Sequence, residues 1–324
     1  MATLGVVPAL SRIARPGPCA LAAVLSLTAL VTGCGASSDG APAVTAATST
    51  EVTVPVSAVT TTVLDPGAEP RAAVRITPQE GVEQRVVLTT RSEVFQRVGD
   101  EPEQDFSTPE LTLPLAATVT AAVSGDSPST VVDITLSGAS SPDETLDRAL
   151  TETDGSGIGL TIGPDGAVSA LRLAPAQDAA NIARSAIEQA FYQAVYRMVS
   201  FPGEEIGVGA VWESHQQVMS AGITLDQVGT ATLVERDGDR LVVDVTVEQT
   251  PRGAIWVLPN GQGELDIEQY TMTGRGTMTV DPARPLPVGG ELIVRGEQVY
   301  VDPVGATRLS QSQVDQVAWS APEE

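Results

Sequence analysis

From about residue 70 the chain alternates between apolar and polar positions. The pattern runs through 72–77, 84–98, 112–123 and 130–137, and it is the period of strands with one buried face. VVDITL (131–136) shows it most plainly. The period then changes twice. PDETLDRALT (142–151) places Asp and Glu in the first turn of a short predicted helix, where acids meet the positive helix end. A second, longer helix is predicted from about Ala176 to Val199, with Pro175 suited to its first turn and Pro202 barring its continuation. Ile182, Ala186, Ile187, Ala190, Phe191, Ala194, Val195 and Met198 share its apolar face, with Arg184, Glu188, Gln189 and Tyr192 outside it.

Between the helices lies a hairpin, Gly159–Ile162 and Ala167–Leu173, around the turn Gly163-Pro164-Asp165-Gly166. Beyond the long helix, VWESHQQVMS (211–220) alternates again. Residues 226–248 predict a hairpin on a type I′ turn at Asp237-Gly238. That register sets Val234 opposite Leu241, Thr232 opposite Val243 and Thr230 opposite Val245. Strands at 265–280, 290–301 and 307–318 complete a meander. The fold class expected is α+β and strand-dominated: antiparallel meander sheet, with a curved half-barrel as one form, packed on one long amphipathic helix.

The first residues obey different rules. Arg12 and Arg15 precede a run from Cys19 to Val31 in which every residue is apolar or small. This is the layout of an export signal, and the run is too short for a bilayer, which needs about 20 apolar residues. It closes on Val31-Thr32-Gly33-Cys34. The tetrad resembles the lipobox of bacterial lipoproteins. The resemblance implies a diacylglycerol on the Cys34 sulfur, cleavage between Gly33 and Cys34, and attachment to the outer face of the cell membrane. Two acyl chains suffice for stable anchoring, at about 0.8 kcal/mol per buried methylene. An ordinary secretory cleavage near Ala36 and an uncleaved anchor are the alternatives. The expected organisation is a signal at 1–33, then lipidated Cys34 and a flexible Ala/Ser/Thr-rich tether to residue 63, then a β-rich extracytoplasmic domain over 64–324. An edge strand at 51–63 is the other reading of the tether's second half.

Charge narrows the partners. The net charge is −23, and every basic residue is arginine. Loss of residues 1–33, whose only charges are Arg12 and Arg15, moves it two units further to −25. Nucleic acid is excluded as a partner, because phosphate binding needs clustered basic residues. Anionic headgroups repel such a body. Without lysine there is no Schiff base chemistry. Cys19 lies in the signal and Cys34 carries the lipid on this reading, so no disulfide is expected.

The inventory for catalysis is thin. His215 is the only histidine, which rules out metal centres built on several imidazoles. There is no Gly-x-Ser-x-Gly elbow and no P-loop. Gly155-Ser156-Gly157-Ile158-Gly159 comes after a helix and precedes a strand, the reverse of a dinucleotide-binding loop. Asp143, Glu144, Asp147, Asp154 and Asp165 lack EF-hand spacing and read as a solvated rim. Trp212, Trp256 and Trp319 read as packing anchors. The expectation is no enzyme, no catalytic residue, no metal and no cofactor.

PGEEIGVGAVW (202–212), GPDGAVSAL (163–171) and TGRGTMTVDPARPLPVGGEL (273–292) together resemble a bacterial family of exported proteins and lipoproteins with no assigned function. The resemblance covers most of 64–320 and carries no catalytic residue. Composition and lipobox resemble those of actinobacterial lipoproteins. In architecture the chain is similar to the LppX–LprG type, which implies a hydrophobic ligand or lipid held between sheet and helix. The other expectation is a structural or partner-binding envelope lipoprotein without a small-molecule ligand, its protein partner unidentified.

Overall fold

The computed structural model describes residues 51–125, 128–258, 263–305 and 307–322. Gly33 and Cys34, with the signal and the first part of the tether, lie outside the described residues.

Strand content dominates. The first strands are β1 (Val52–Pro55), β2 (Thr60–Asp65) and the short β3 (Ala72–Ala73). Long β4 (Glu83–Val98) is next, then the two-residue β5 (Gln104–Asp105), β6 (Thr108–Val123) and β7 (Ser129–Leu136). Helix α1 (Glu144–Leu150) leads to the hairpin β8 (Gly157–Ile162) and β9 (Val168–Ala174). Helix α2 (Asn181–Val195) comes after it, then short β10 (Glu205–Ile206). The second half runs β11 (Val211–Ser220), β12 (Ile223–Asp237), β13 (Arg240–Pro251), β14 (Ile255–Val257), β15 (Glu264–Val280), β16 (Gly289–Val301) and β17 (Arg308–Ser320).

Two antiparallel meanders share one sheet. The first runs β4-β6-β7-β8-β9, the second β11-β12-β13-β15-β16-β17, and β17 pairs with β4 to join them. This leaves β9 and β11 as the free edges, and the chain's own first strands cover both. β1 pairs with β9 and β2 with β11. Only residues 56–59 separate β1 from β2, a reach of about 18 Å at full extension. A flat sheet would hold β9 and β11 on the order of 50 Å apart at the usual strand spacing. The sheet therefore curls, and β1 with β2 straps its seam. It is not a closed barrel, since β1 and β2 do not pair with each other.

Two glycines show what the curl demands of adjacent strands. A Cβ on Gly296 of β16 would lie 1.6 Å from the Thr271 carbonyl oxygen, and one on Gly276 of β15 would lie 1.9 Å from that of Glu291. Only a residue without a side chain allows backbones that close.

The main core fills the inner face of the first meander. Leu88, Leu113, Ile134, Leu160 and Leu171 meet Ala183, Ile187, Ala190 and Phe191 of α2. Helix α2 is shorter than the expected 176–199, and its inward stripe includes Ala183 and leaves Ile182 54% exposed. Helix α1 falls inside the expected 142–151, and Asp143 stands just before it as the cap, accepting from the amides of Thr145 and Leu146. A second cluster packs Phe201 on Trp212 at 5.7 Å between ring centres.

Three expectations need correction. The tether's second half is ordered as β1 and β2, because its β-branched residues complete the two edges of the sheet. The strand at 72–77 shrinks to Ala72–Ala73, and Val74 and Ile76 are instead buried in the second cluster. The β12–β13 turn centres one residue later, with Asp237 opposite Arg240, and an irregularity falls between Leu233 and Glu235. Leu233 then faces Val243, Thr232 faces Asp244 and Ala231 faces Val245. A shift of one position exchanges the faces of a strand. Leu233 is fully buried and Val234 is 41% exposed.

Candidate functional site

The sequence-derived candidates do not converge. His215 lies on the outer face of β11, half exposed and 3.4 Å from Glu213. The acidic residues serve the backbone: Asp147 accepts from the Ser141 amide, Asp154 from that of Gly138 and Asp165 from that of Ala167. Among the described residues no group of three or more His, Cys, Asp or Glu could hold a metal ion. Gly155 takes a left-handed turn just before β8. The three tryptophans are buried, with Trp212 donating to the Ser200 carbonyl and Trp256 to that of Ala221, both at 2.8 Å.

A different constellation occupies the inner face of the second meander. Register places Ser92, Asp315, Val294, Gly274, Val247, Gly229 and Ser214 opposite one another in one row across the sheet. The next row reads Val94, Gln313, Gly296, Met272, Gln249, Gln227 and Gln216. Beyond it lie Gln96, Gln311, Gln298 and Tyr270. Glutamines thus belt the trough, between the apolar core under α2 and an aromatic cluster of Trp256, Tyr300, Leu225 and Leu309 at its end.

The belt is hydrogen-bonded in series. Gln96 donates to Gln311 at 2.7 Å, Gln311 to Gln313 at 3.2 Å, and Gln313 to Asp315 at 2.8 Å. Ser92 donates to the other Asp315 oxygen at 2.6 Å. Across the trough Gln249 donates to Gln227 at 2.8 Å, and Gln227 to the Tyr196 carbonyl at 3.0 Å. Gln216 reaches the Ser57 carbonyl in the strap at 3.0 Å.

Arg197, just past α2, meets Asp315 at 3.5 Å, with only 9% and 8% of the two side chains exposed. Burial pulls the Arg197 guanidinium below its ordinary value, and Asp315 partly offsets this. Burial, and next the Asp315 charge, push the Tyr270 phenol up. Three buried polar atoms around this face lack a partner among the described residues: Arg197 Nη1, Gln193 Oε1 one helical turn earlier, and Gln298 Oε1. Gln298 spends its amide on Met272 Sδ at 2.8 Å. Buried groups of this kind are ordinarily satisfied.

Space in the trough is limited. A recess of about 30 Å³ opens beside Arg197, lined also by Gln216, Gln227 and Val59, and a second of about 10 Å³ lies between α2 and the β8–β9 hairpin. The larger one has room for about one water molecule; an enclosed ligand of drug size needs about 300–1,000 Å³. Gln96, Gln249, Gln311 and Gln313 remain half-buried and so keep an open side.

The signal for this belt was present in LSQSQVDQVAW (309–319). Leu309, Val317 and Trp319 share inward parity with Gln311, Gln313 and Asp315. Polar residues at inward positions mark either a wet interior or a site. Set against known proteins, the chain matches no protein-family model and no curated protein.

Proposed function

We propose that this is a lipid-anchored protein of the cell envelope, without enzymatic activity, whose ordered body binds a ligand or partner on the polar inner face of its sheet. The lipobox-like tetrad ending at Cys34 supports the anchor, and the extracytoplasmic face of the membrane is the matching location. The ordered body stands on its strap, and a curved half-barrel holding helix α2 is the architecture this reading uses. One observation carries the binding role: a hydrogen-bonded glutamine belt and a buried Arg197–Asp315 pair line the inner face beside a core built mainly of Leu, Ile and Val. Apolar residues of similar volume in place of a buried ion pair are often neutral or stabilising, so packing alone does not account for it.

The recess volumes argue against a lipid enclosed between sheet and helix, since neither admits an acyl chain. A ligand held along an open face fits the half-buried glutamines better. Two measurements test the proposal. The native protein is expected to partition into the detergent phase with a diacylglycerol mass on Cys34, and Cys34→Ser to send it to the aqueous phase; native protein found in the aqueous phase would overturn the anchor. A photo-crosslinking benzoylphenylalanine placed at Gln313 in intact cells gives a discrete adduct, while the same group at Ser312 on the outer face does not. Adducts from Ser312 only, or from neither position, remove the binding face.

A further inference from the structure

We propose that the glutamine belt binds a neutral, hydroxyl-rich oligosaccharide. The inference rests on the trough being the binding face and adds the chemistry of what lies there.

Carboxamides carry a donor and an acceptor in one plane. A sugar hydroxyl does the same on one oxygen, so each carboxamide-to-carboxamide bond in the belt has a sugar counterpart that exposes no charge. Arg197 and Asp315 are the charged pair set among the glutamines, and they face each other. The belt is electrically balanced inside a chain of net charge −23. A polyanion is repelled by the surrounding body. A polycation finds the Asp315 carboxylate already engaged by Ser92, Gln313 and Arg197.

The unpaired atoms point the same way. Arg197, which lines the larger recess, has an unpaired donor in Nη1, and Gln298 has an unpaired acceptor in Oε1. Both atoms are closed to solvent, so they mark hydrogen-bonding capacity left unspent in the belt and not contacts made directly by a sugar. Ring faces flank the belt as well. Tyr270 lies opposite Gln298, Tyr300 is two residues further along the strand of Gln298 and tilted against Trp256 at 4.7 Å, and Tyr196, whose carbonyl holds Gln227, is tilted against Tyr192 at 4.8 Å. Such rings pair an apolar face with a polar tip, which suits the C–H faces and hydroxyls of a sugar.

Other occupants meet obstacles in the same geometry. An extended peptide adds to a strand edge through backbone hydrogen bonds, a mode that makes no use of the glutamine side chains on the inner face. A buried acyl chain lacks the volume.

The test exposes the full-length, detergent-solubilised protein to immobilised linear oligomers of neutral hexoses, pentoses and N-acetylhexosamines, with uronic acid oligomers, oligolysine and palmitate alongside. Retention of a neutral oligomer is expected. The doubly substituted Gln311→Ala, Gln313→Ala protein should bind it at least about ten-fold more weakly, the equivalent of 1.4 kcal/mol, while Ser312→Ala binds as before. Saturation-transfer NMR on the unsubstituted protein should show tyrosine ring protons passing magnetisation to the sugar, a readout that needs no variant. Absence of any retained neutral oligomer, retention of charged oligomers or palmitate alone, or equal binding by the double variant overturns the proposal. In those cases a crosslink from position 313 still reports whether the face binds something else.

Discussion

Arg197 carries more consequence than any other single side chain described. It sits beyond the end of α2 with its guanidinium buried against Asp315. Removing one member of such a pair leaves the other charge uncompensated, at a cost of about 3–5 kcal/mol. Arg197→Met should therefore destabilise the fold by about that amount in denaturant titration. Adding Asp315→Leu should recover part of the loss, and a double variant less stable than Arg197→Met would show that Asp315 stabilises by other means. The tyrosines give a pH prediction. Burial raises the phenols of Tyr192, Tyr270 and Tyr300, helped next by Tyr196, Asp315 and Tyr270 respectively. Their folded values exceed the unfolded value of about 10, so an unfolded chain releases these protons first. Stability from this source is complete below about pH 10 and is lost as pH rises beyond it. Phenolate absorbance should appear together with loss of the circular dichroism signal. A large phenolate signal in protein that is still folded would contradict this.

Single elements were legible wherever local chemistry decided them. Helix α1, the Gly163–Gly166 turn and most strand positions come from residue types a few places apart, and the structure places them within a few residues of expectation. What failed depended on distant partners. VTVP and TTTVLD contain little bulk and resemble a linker, yet pairing with β9 and β11 orders both. The β12–β13 register turned on an irregularity near Val234 that no neighbouring residue announces. In α2, Ile182 is more apolar than Ala183, but Ala183 faces the sheet and is fully buried. The glutamine belt was hidden for a related reason. Each glutamine reads as an ordinary strand residue, and only the order of strands shows that 96, 227, 249, 298, 311 and 313 share one surface.

For the molecule as a whole, the seam is the decisive feature. Both edges of the sheet depend on the segment 52–65, and an uncovered edge is a template for pairing with another chain. A protein beginning at residue 66 should self-associate in sedimentation experiments, and a monomer of unchanged thermal stability would show that the strap is dispensable. The strap has a further effect, on timing. Val52 must find Leu173 and Thr61 must find Ser214, partners that are made much later in synthesis. Contacts so remote along the chain form slowly. The stretch made earliest among the described strands is therefore among the last to settle, and any factor that grips these residues before synthesis ends delays completion of the whole molecule.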